Sequence, residues 1–337
     1  MAQIFSHNCL SIQHLNIPKE LSILVLAPHP DDFDAIGVTM RFFRENKNPL
    51  YLAVAASGAR GVEDTFCSPP TLAVKTEIRQ KEQKESCRFF GLPDTHLTFL
   101  RLEEDEAGNL LENRANTHRL RRYLMENRPE MVFLPHGQDA NTTHQRVYSM
   151  YHQVAASAGY PIATFFNRDP KTLKMRCDFF LGYEAAAAVW KGELLRIHRS
   201  QHQRNLNRRG YGMDTRILSA DRHSAEVCST GTAYAEIFEL KLYGTKKLET
   251  IFKGKNHMDL FSEIKNMIVD VFALDEDVVV TDAHLQDDLG GDSLAIINLA
   301  EAIAKKYGID IQGEDLIELD NVGQLIALVK SKISSKP

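Results

Sequence analysis

Residues 22–37 read SILVLAPHPDDFDAIG, and the fold follows from this stretch. The unbroken apolar run Ile23–Ala27 is the pattern of a strand buried on both faces, as in the middle of a parallel sheet. It stops at Pro28-His29-Pro30, a turn that passes directly into two adjacent aspartates, Asp31 and Asp32. In open α/β sheets ligands bind in the crevice outside the carboxyl ends of the strands. His29, Asp31 and Asp32 are therefore expected at the mouth of such a crevice.

Working outward, residues 35–43 carry a helical apolar period and residues 50–56 form a second apolar run ending at Ser57-Gly58. A polar loop with Gly61, Pro69 and Pro70 precedes a long helical stretch, 71–90, which Gly91-Leu92-Pro93 stops. The order βαβα implies a parallel sheet with helices on its faces. Residues 97–102 read as a short strand, 116–127 as a basic amphipathic helix, and Met131–Pro135 (MVFLP) as a further buried strand. That strand runs into His136 and the loop GQDANTTH, so a second histidine-bearing loop follows a strand's carboxyl end. Beyond it come a helix at 144–158, a strand at Phe179–Tyr183, a helix at 191–202 and a last segment at 233–240, with no internal repeat.

At 337 residues the chain exceeds one usual core and fits two domains. Its 43 % hydrophobic and 25 % charged residues are those of an ordinary globular protein. The five cysteines, Cys9, Cys67, Cys87, Cys177 and Cys228, are odd in number, widely spaced and never C-x-x-C. This argues against a disulfide framework and against a Cys-type zinc site, and fits a reducing, cytoplasmic setting. The first twenty residues lack a basic start and an apolar core, and no run reaches the roughly 18 apolar residues of a membrane span. Neither a membrane nor a nucleic-acid partner is expected. The net charge of −5 hides a split: residues 1–256 hold 34 Lys+Arg against 29 Asp+Glu, residues 257–337 hold 6 against 16. A basic body and an acidic tail either attract one another or present an acidic module to basic partners.

A catalytic zinc keeps three protein ligands and one open position, and His29, Asp32 and His144 supply a His-Asp-His set from two loops at one sheet edge. Asp31 is then left over. A carboxylate beside a metal-bound water is placed to act as general base towards a carbonyl. PHPDD alone is ordinary turn and N-cap chemistry; the second strand-end histidine loop is what points to a site.

With these residues in place, residues 21–240 resemble the LmbE/PIG-L family of metal-dependent N-deacetylases. The resemblance rests on five motifs in order: PHPDD at 28–32; Arg79-x-x-Glu82 in a helix ending at Phe90-Gly91; P-x-x-x-D-x-N-x-x-H from Pro135 to His144; K-x-x-x-x-x-x-H-x-S-Q from Lys191 to Gln201; and A-E-x-F from Ala235 to Phe238. It implies His29, Asp32 and His144 as metal ligands, Asp31 as catalytic base and Arg79 as a substrate contact, whose plain alternative is an i,i+3 pair with Glu82. Lys191, His198 and Gln201 belong to a recurrent segment with either a structural or a site role. Two departures stand out. Most members have an acidic residue where Phe33 stands, with Asp34 following one position later, and many have a histidine where this chain has Asn141. An amide can donate to a tetrahedral oxyanion but cannot deliver a proton to a leaving amine, so Asp31 would serve as both base and acid. His136 is the alternative donor, at a strand end.

After a Lys/Gly-rich linker at 241–256, MDLFSEIKNMIVDVF places Leu260, Ile264, Ile268 and Val271 on one helix face. LGGDSLAIINLAEAIAKKYGI follows, then a last helix at 322–333. Residues 258–335 resemble an acyl or peptidyl carrier protein, and Gly290-Gly291-Asp292-Ser293-Leu294 implies 4′-phosphopantetheine on Ser293, at a helix N-terminus that favours phosphate. Its plain alternative is an N-cap serine. The acidic balance fits a carrier that meets basic partner enzymes.

The sequence thus predicts an α/β fold, a Rossmann-like, mostly parallel sheet with helices on both faces, in a deacetylase domain at 1–245. A linker at 246–257 and an all-α, four-helix carrier domain at 258–337 follow. The predicted activity is zinc-dependent (or other divalent-metal) hydrolysis of an N-acyl, N-acetyl in the first instance, amide in a biosynthetic pathway. The substrate is free or carrier-tethered, and a phosphopantetheinyl transferase and acyl-loading enzymes are the partners. Two other readings stay open on the sequence: a carrier and docking protein with a degenerate hydrolase domain, and a non-haem iron enzyme using the same two histidines and aspartate.

Overall fold

A computed structural model describes residues 9–247, 260–275 and 278–334. The chain divides into two compact units, Met1–Gly254 and Lys255–Pro337. The first holds an eight-stranded sheet whose strands, in chain order, are β1 (Leu10–Ser11), β2 (Ile23–Ala27), β3 (Leu50–Val54), β4 (Leu97–Phe99), β5 (Met131–Pro135), β6 (Ile162–Asn167), β7 (Phe179–Tyr183) and β8 (Tyr234–Tyr243). Their spatial order is β1-β7-β8-β6-β5-β2-β3-β4, and every pairing is parallel except those of β8 with β6 and β7. From β2 the chain moves one way to β3 and β4, then returns to lay β5 on the other side of β2. The crevice between β2 and β5 is therefore the topological switch point, where the two strand-end histidine loops meet.

The helices of this unit are α1 (Gly37–Glu45), α2 (Leu72–Phe90), α3 (Arg114–Asn127), α4 (Thr142–Ala156), α5 (Ala185–Arg196), α6 (Arg199–Arg209) and α7 (Met213–Val227). Alternation along β2 builds two cores. Ile23, Val25 and Ala27 pack with Met40 and Phe43 of α1 and Leu194 of α5 on one face. Leu24 and Leu26 pack with Leu120 and Leu124 of α3 and Val147 and Tyr151 of α4 on the other. Helix α2 begins where the Thr71 hydroxyl accepts from Val74 N and ends at Gly91, left-handed at φ 86°, a conformation glycine adopts without steric cost.

Four sequence expectations change. Strand β6 and helix α7 were not foreseen, because a short apolar run is ambiguous by periodicity alone. The stretch 191–202 is two helices, broken where His198 leaves helical geometry (φ −77°, ψ 64°) to bond Asp34. Strand β8 runs on through Tyr243, three residues into the linker expected at 241–256, and residues 248–256 lie outside the described residues. The expectation against disulfides fails for one pair: Cys9 and Cys177 are joined, with a sulfur–sulfur distance of 2.15 Å. Parallel pairing of Leu10 with Phe179 brings the two cysteines together across 168 residues, which spacing in the sequence does not reveal. Cys228 lies within 4.8 Å of both sulfurs, but with Cys9 and Cys177 joined to each other the group offers one thiol and is not a Cys-type zinc site.

The second unit contains α8 (Leu260–Phe272), α9 (Ser293–Tyr307), α10 (Gly313–Ile317) and α11 (Val322–Ser334) around a core that includes Ile264, Ile268, Leu299, Ile303, Leu325 and Val329. Among the described residues no helix is long and apolar enough to cross a membrane.

Candidate active site

The turn after β2 carries His29, Asp31 and Asp32, and the first turn of α4, entered from β5, carries His144. Asp32 Oδ2 accepts from the His29 backbone N–H at 2.7 Å and lies 3.5 Å from His29 Nδ1. Its Oδ1 lies 3.5 Å from His144 Nε2. Donor atoms of His29, Asp32 and His144 all lie within 4.8 Å of one another. The sequence-predicted ligand set is thus brought together from two strand ends.

Two further carboxylates that the sequence reading did not single out complete this corner. Asp139, fully buried in the loop after β5, places Oδ2 3.4 Å from His144 Nδ1 and accepts from Asn141 N at 2.6 Å. A carboxylate behind a ligating imidazole fixes its tautomer and orientation. Asp169, two residues past β6, joins Asp139 and His144 in a second group of donor atoms within 4.8 Å. Its legible signal was its place after a strand end at the same sheet edge.

The electrostatics are those of crowded anions. Burial works to raise the Asp32 carboxyl, but the His144 and His29 imidazoles hold it far below the usual carboxylate range. Burial would lower the His144 imidazole, yet Asp32 and Asp139 raise it well above its ordinary value. Asp169 is pushed up by burial and by the nearby Asp139 and Asp32 charges. Two imidazoles among three carboxylates form a mixed nitrogen and oxygen donor set with surplus negative charge, which fits a divalent cation.

Asp31 sits at φ 115°, a left-handed backbone that non-glycine residues adopt at a cost and that clusters at functional sites. Its backbone N–H donates to Gln83 Oε1 at 3.0 Å, and its Oδ2 receives Arg79 Nη2 at 2.9 Å. Arg79, 1 % exposed on α2, also binds the Pro30 carbonyl and pairs with Glu82 at 3.3 Å. The i,i+3 pair with Glu82 exists, but it is buried rather than on a helix surface, and Arg79 lines the cavity against Asp31. Asn141 caps α4 by accepting from Thr143 N at 2.9 Å, and its amide N–H groups, at the cavity wall, have no partner among the described residues. The cavity has a volume of about 350 Å³ and is lined by His29, Asp31, Asp32, Arg79, Asn141, His144 and Asp169 among others.

A second layer holds the turn in place. Asp34 is fully buried and binds His198 Nε2 at 2.7 Å and the Ser86 hydroxyl, while Phe33 packs edge-on against Phe90 with ring centroids 4.9 Å apart. The displaced acid at position 34 therefore belongs to a buried network and Phe33 to the core. Glu236 of β8 accepts from Val38 N and Thr39 N, at 3.1 and 2.8 Å, at the positive N-terminus of α1. Lys191 bridges Glu236 and Asp221 at 2.6 Å each. Lys191 and His198 are thus structural, whereas Gln201 binds the Gly61 carbonyl and lines the cavity. His136 lies apart from the cavity, 3.4 Å from Glu239, in contact with Tyr148 and Phe166.

In the second unit Ser293 is the exposed first residue of α9. The cap is Asp292, whose carboxylate accepts from Ala295 N at 2.8 Å, and the Ser293 hydroxyl has no hydrogen bond among the described residues.

Residues 24–155 match the family model described as GlcNAc-PI de-N-acetylase (PIG-L), and residues 262–329 match that of the phosphopantetheine attachment site. The acyl carrier protein of Petrotoga mobilis is 36 % identical over 76 residues, 23 % of this chain and 89 % of that protein. The chain carries a PIG-L domain at 24–155 and an acyl-carrier-type phosphopantetheine-attachment domain at 262–329. The fold of the PIG-L domain is shared with N,N′-diacetylchitobiose deacetylase of Pyrococcus horikoshii, at TM-score 0.55 and 17 % identity over 71 % of this chain and 88 % of that one. It is shared also with 4-carboxy-2-hydroxymuconate hydratase of Pseudomonas putida KT2440, at TM-score 0.51 and 18 % identity over 67 % of this chain and 98 % of that one. One fold carries both a deacetylase and a hydratase, so the activity of this PIG-L domain has to be argued from its own side chains.

Proposed function

We propose that the PIG-L domain hydrolyses an N-acyl amide, N-acetyl in the first instance, at a divalent metal, with zinc first, held by His29, Asp32 and His144. When bound, such a metal polarises an amide carbonyl and lowers the pKa of its water. The observation that carries this reading is the placement of Asp31: a carboxylate on a left-handed backbone that lines the same cavity as the three donors, is held by Arg79 and stands outside the ligand set. Asp31 takes the proton of the attacking water at its carboxylate and returns it to the departing amine nitrogen, since Asn141 has no proton to give. The Asn141 amide donates to the developing oxyanion, Asp139 holds the His144 ring, and Arg79 keeps Asp31 from swinging into the cavity.

The carrier domain supplies the second half of the reading. Ser293 takes 4′-phosphopantetheine from a phosphopantetheinyl transferase, and acyl-loading enzymes place a biosynthetic intermediate on the arm. A substrate tethered by a short flexible linker is present at about millimolar effective concentration. The residues 1–245, 246–257 and 258–337 are the deacetylase, the linker and the carrier in this scheme.

The test is Asp31→Asn. The variant should keep the metal content of the parent and lose acetate release from N-acetyl amides; normal hydrolysis by it refutes the role.

A further inference from the structure

The cavity that this hydrolase reading uses is ringed by six cationic side chains: Arg60 after β3, Lys171 after β6, Arg204, Arg208 and Arg209 on α6, and Arg216 on α7. Arg208 lies 3.5 Å from Glu63. The other five side chains have no ion pair or hydrogen bond among the described residues. The lining holds three carboxylates, Asp31, Asp32 and Asp169, and all belong to the catalytic corner. Isolated unpaired arginines on a surface are ordinary, but these come from three separate stretches of chain and face one space of about 350 Å³.

Local design supports a purpose. Gln201, Arg204, Asn205 and Arg208 recur at i, i+3, i+4 and i+7 and all reach the cavity, so one polar stripe of α6 is turned towards the site rather than towards bulk water. Gly61 lets this stripe approach, since a Cβ there would lie 3.0 Å from Gln201 Oε1 and 3.4 Å from Arg204 Nη1. Arg204 is half-buried, and burial together with the neighbouring Arg208 and Arg79 guanidiniums lowers its pKa. Crowding like charges this way costs stability in the free protein and is relieved by an anion. Arg79 adds a buried Nε without a hydrogen-bond partner on the same side, beside Gly58.

We propose that this ring is a phosphate-recognition cradle, and that the substrate carries a phosphate beyond its scissile N-acyl amide. Phosphate offers several strong acceptor oxygens and up to two charges to the planar forks of arginine. It can come from a free phosphorylated N-acyl sugar or amine, or from the phosphopantetheine arm of a carrier-held substrate. The proposal rests on the hydrolase reading for which group is scissile, and its test is independent of turnover.

Calorimetry on the full chain bearing Ser293→Ala, stripped of metal by chelator, removes the chain's own arm, hydrolysis and metal–phosphate contact together. Two probe pairs are titrated: N-acetylglucosamine 1-phosphate against N-acetylglucosamine, and 4′-phosphopantetheine against pantetheine. In at least one pair the phosphate-bearing member should bind tenfold or more tightly, weaken with added salt, and lose its advantage in Arg204→Gln/Arg216→Gln while keeping it in the remote Arg122→Gln. Preference in the sugar pair alone assigns a free substrate, in the arm pair alone a tethered one, and in both a cradle that serves either. No discrimination in either pair, or a preference that survives in a double variant with unchanged melting temperature, overturns the proposal. Loss of the phosphate preference leaves hydrolysis measurable by acetate release, so the two readings fail separately.

Discussion

Lys191→Met removes a buried cation while keeping an unbranched chain of similar length. The ammonium is fully buried, 2.6 Å from both Asp221 and Glu236, and methionine leaves these two carboxylates buried side by side. Removing one partner of a buried pair costs about 3–5 kcal/mol, because the remaining charge is uncompensated. For a domain of this size that corresponds to a fall in melting temperature of roughly 10 °C. The deficit has a pH signature. Burial first, and the Glu236 charge after it, raise Asp221 from 3.8 to about 6, and Lys191, with the Tyr183 hydroxyl in a lesser part, holds that value down. A carboxyl raised in the folded state contributes stability that is full below its unfolded value and lost as pH rises through its folded value. Without Lys191 the value rises further, so the variant should recover stability between pH 8 and pH 5.5. Urea unfolding can be followed through the chain's single tryptophan, Trp190, which neighbours the substitution and reports the PIG-L domain. A deficit under about 1 kcal/mol at pH 8, or one of equal size at both pH values, refutes the reasoning.

Asp139→Asn should weaken zinc binding by about 10–100-fold, read by chelator competition, with little change in melting, because the carboxylate behind His144 is lost while a side chain of the same shape stays. Ser293→Ala should abolish the mass gain on incubation with coenzyme A and a phosphopantetheinyl transferase and leave carrier-domain melting unchanged, whereas Asp292→Ala should cost about 1 kcal/mol in melting as a lost helix cap.

Much of this was legible in the sequence wherever a pattern is local. The buried run Ile23–Ala27, the glycine stop of α2 and the strand-end loops carrying His29 and His144 each follow from neighbouring residues. What was not legible depends on long-range register. Asp139 stood in the motif from Pro135 to His144 without a role assigned to it, whereas Asp169 enters the site because β6 lies beside β5, and β6 was the strand missed. Arg79 read equally as a surface pair with Glu82 or a site residue, and packing of α2 beneath Pro30 is what buries it against Asp31. The same dependence on pairing hid the Cys9–Cys177 bond. Asp34 and Phe33 show how a one-residue displacement is absorbed: the acid turns into the His198 network and the ring into the core.

The most direct measurement is acetate release by the full chain, stripped of metal and titrated with zinc, on a panel of N-acetyl amines. Stripped protein should release none, release should rise to a plateau at one bound ion per chain, and His144→Ala should give none at that ratio. Undiminished release from stripped protein, or from His144→Ala, contradicts metal-dependent hydrolysis at this site.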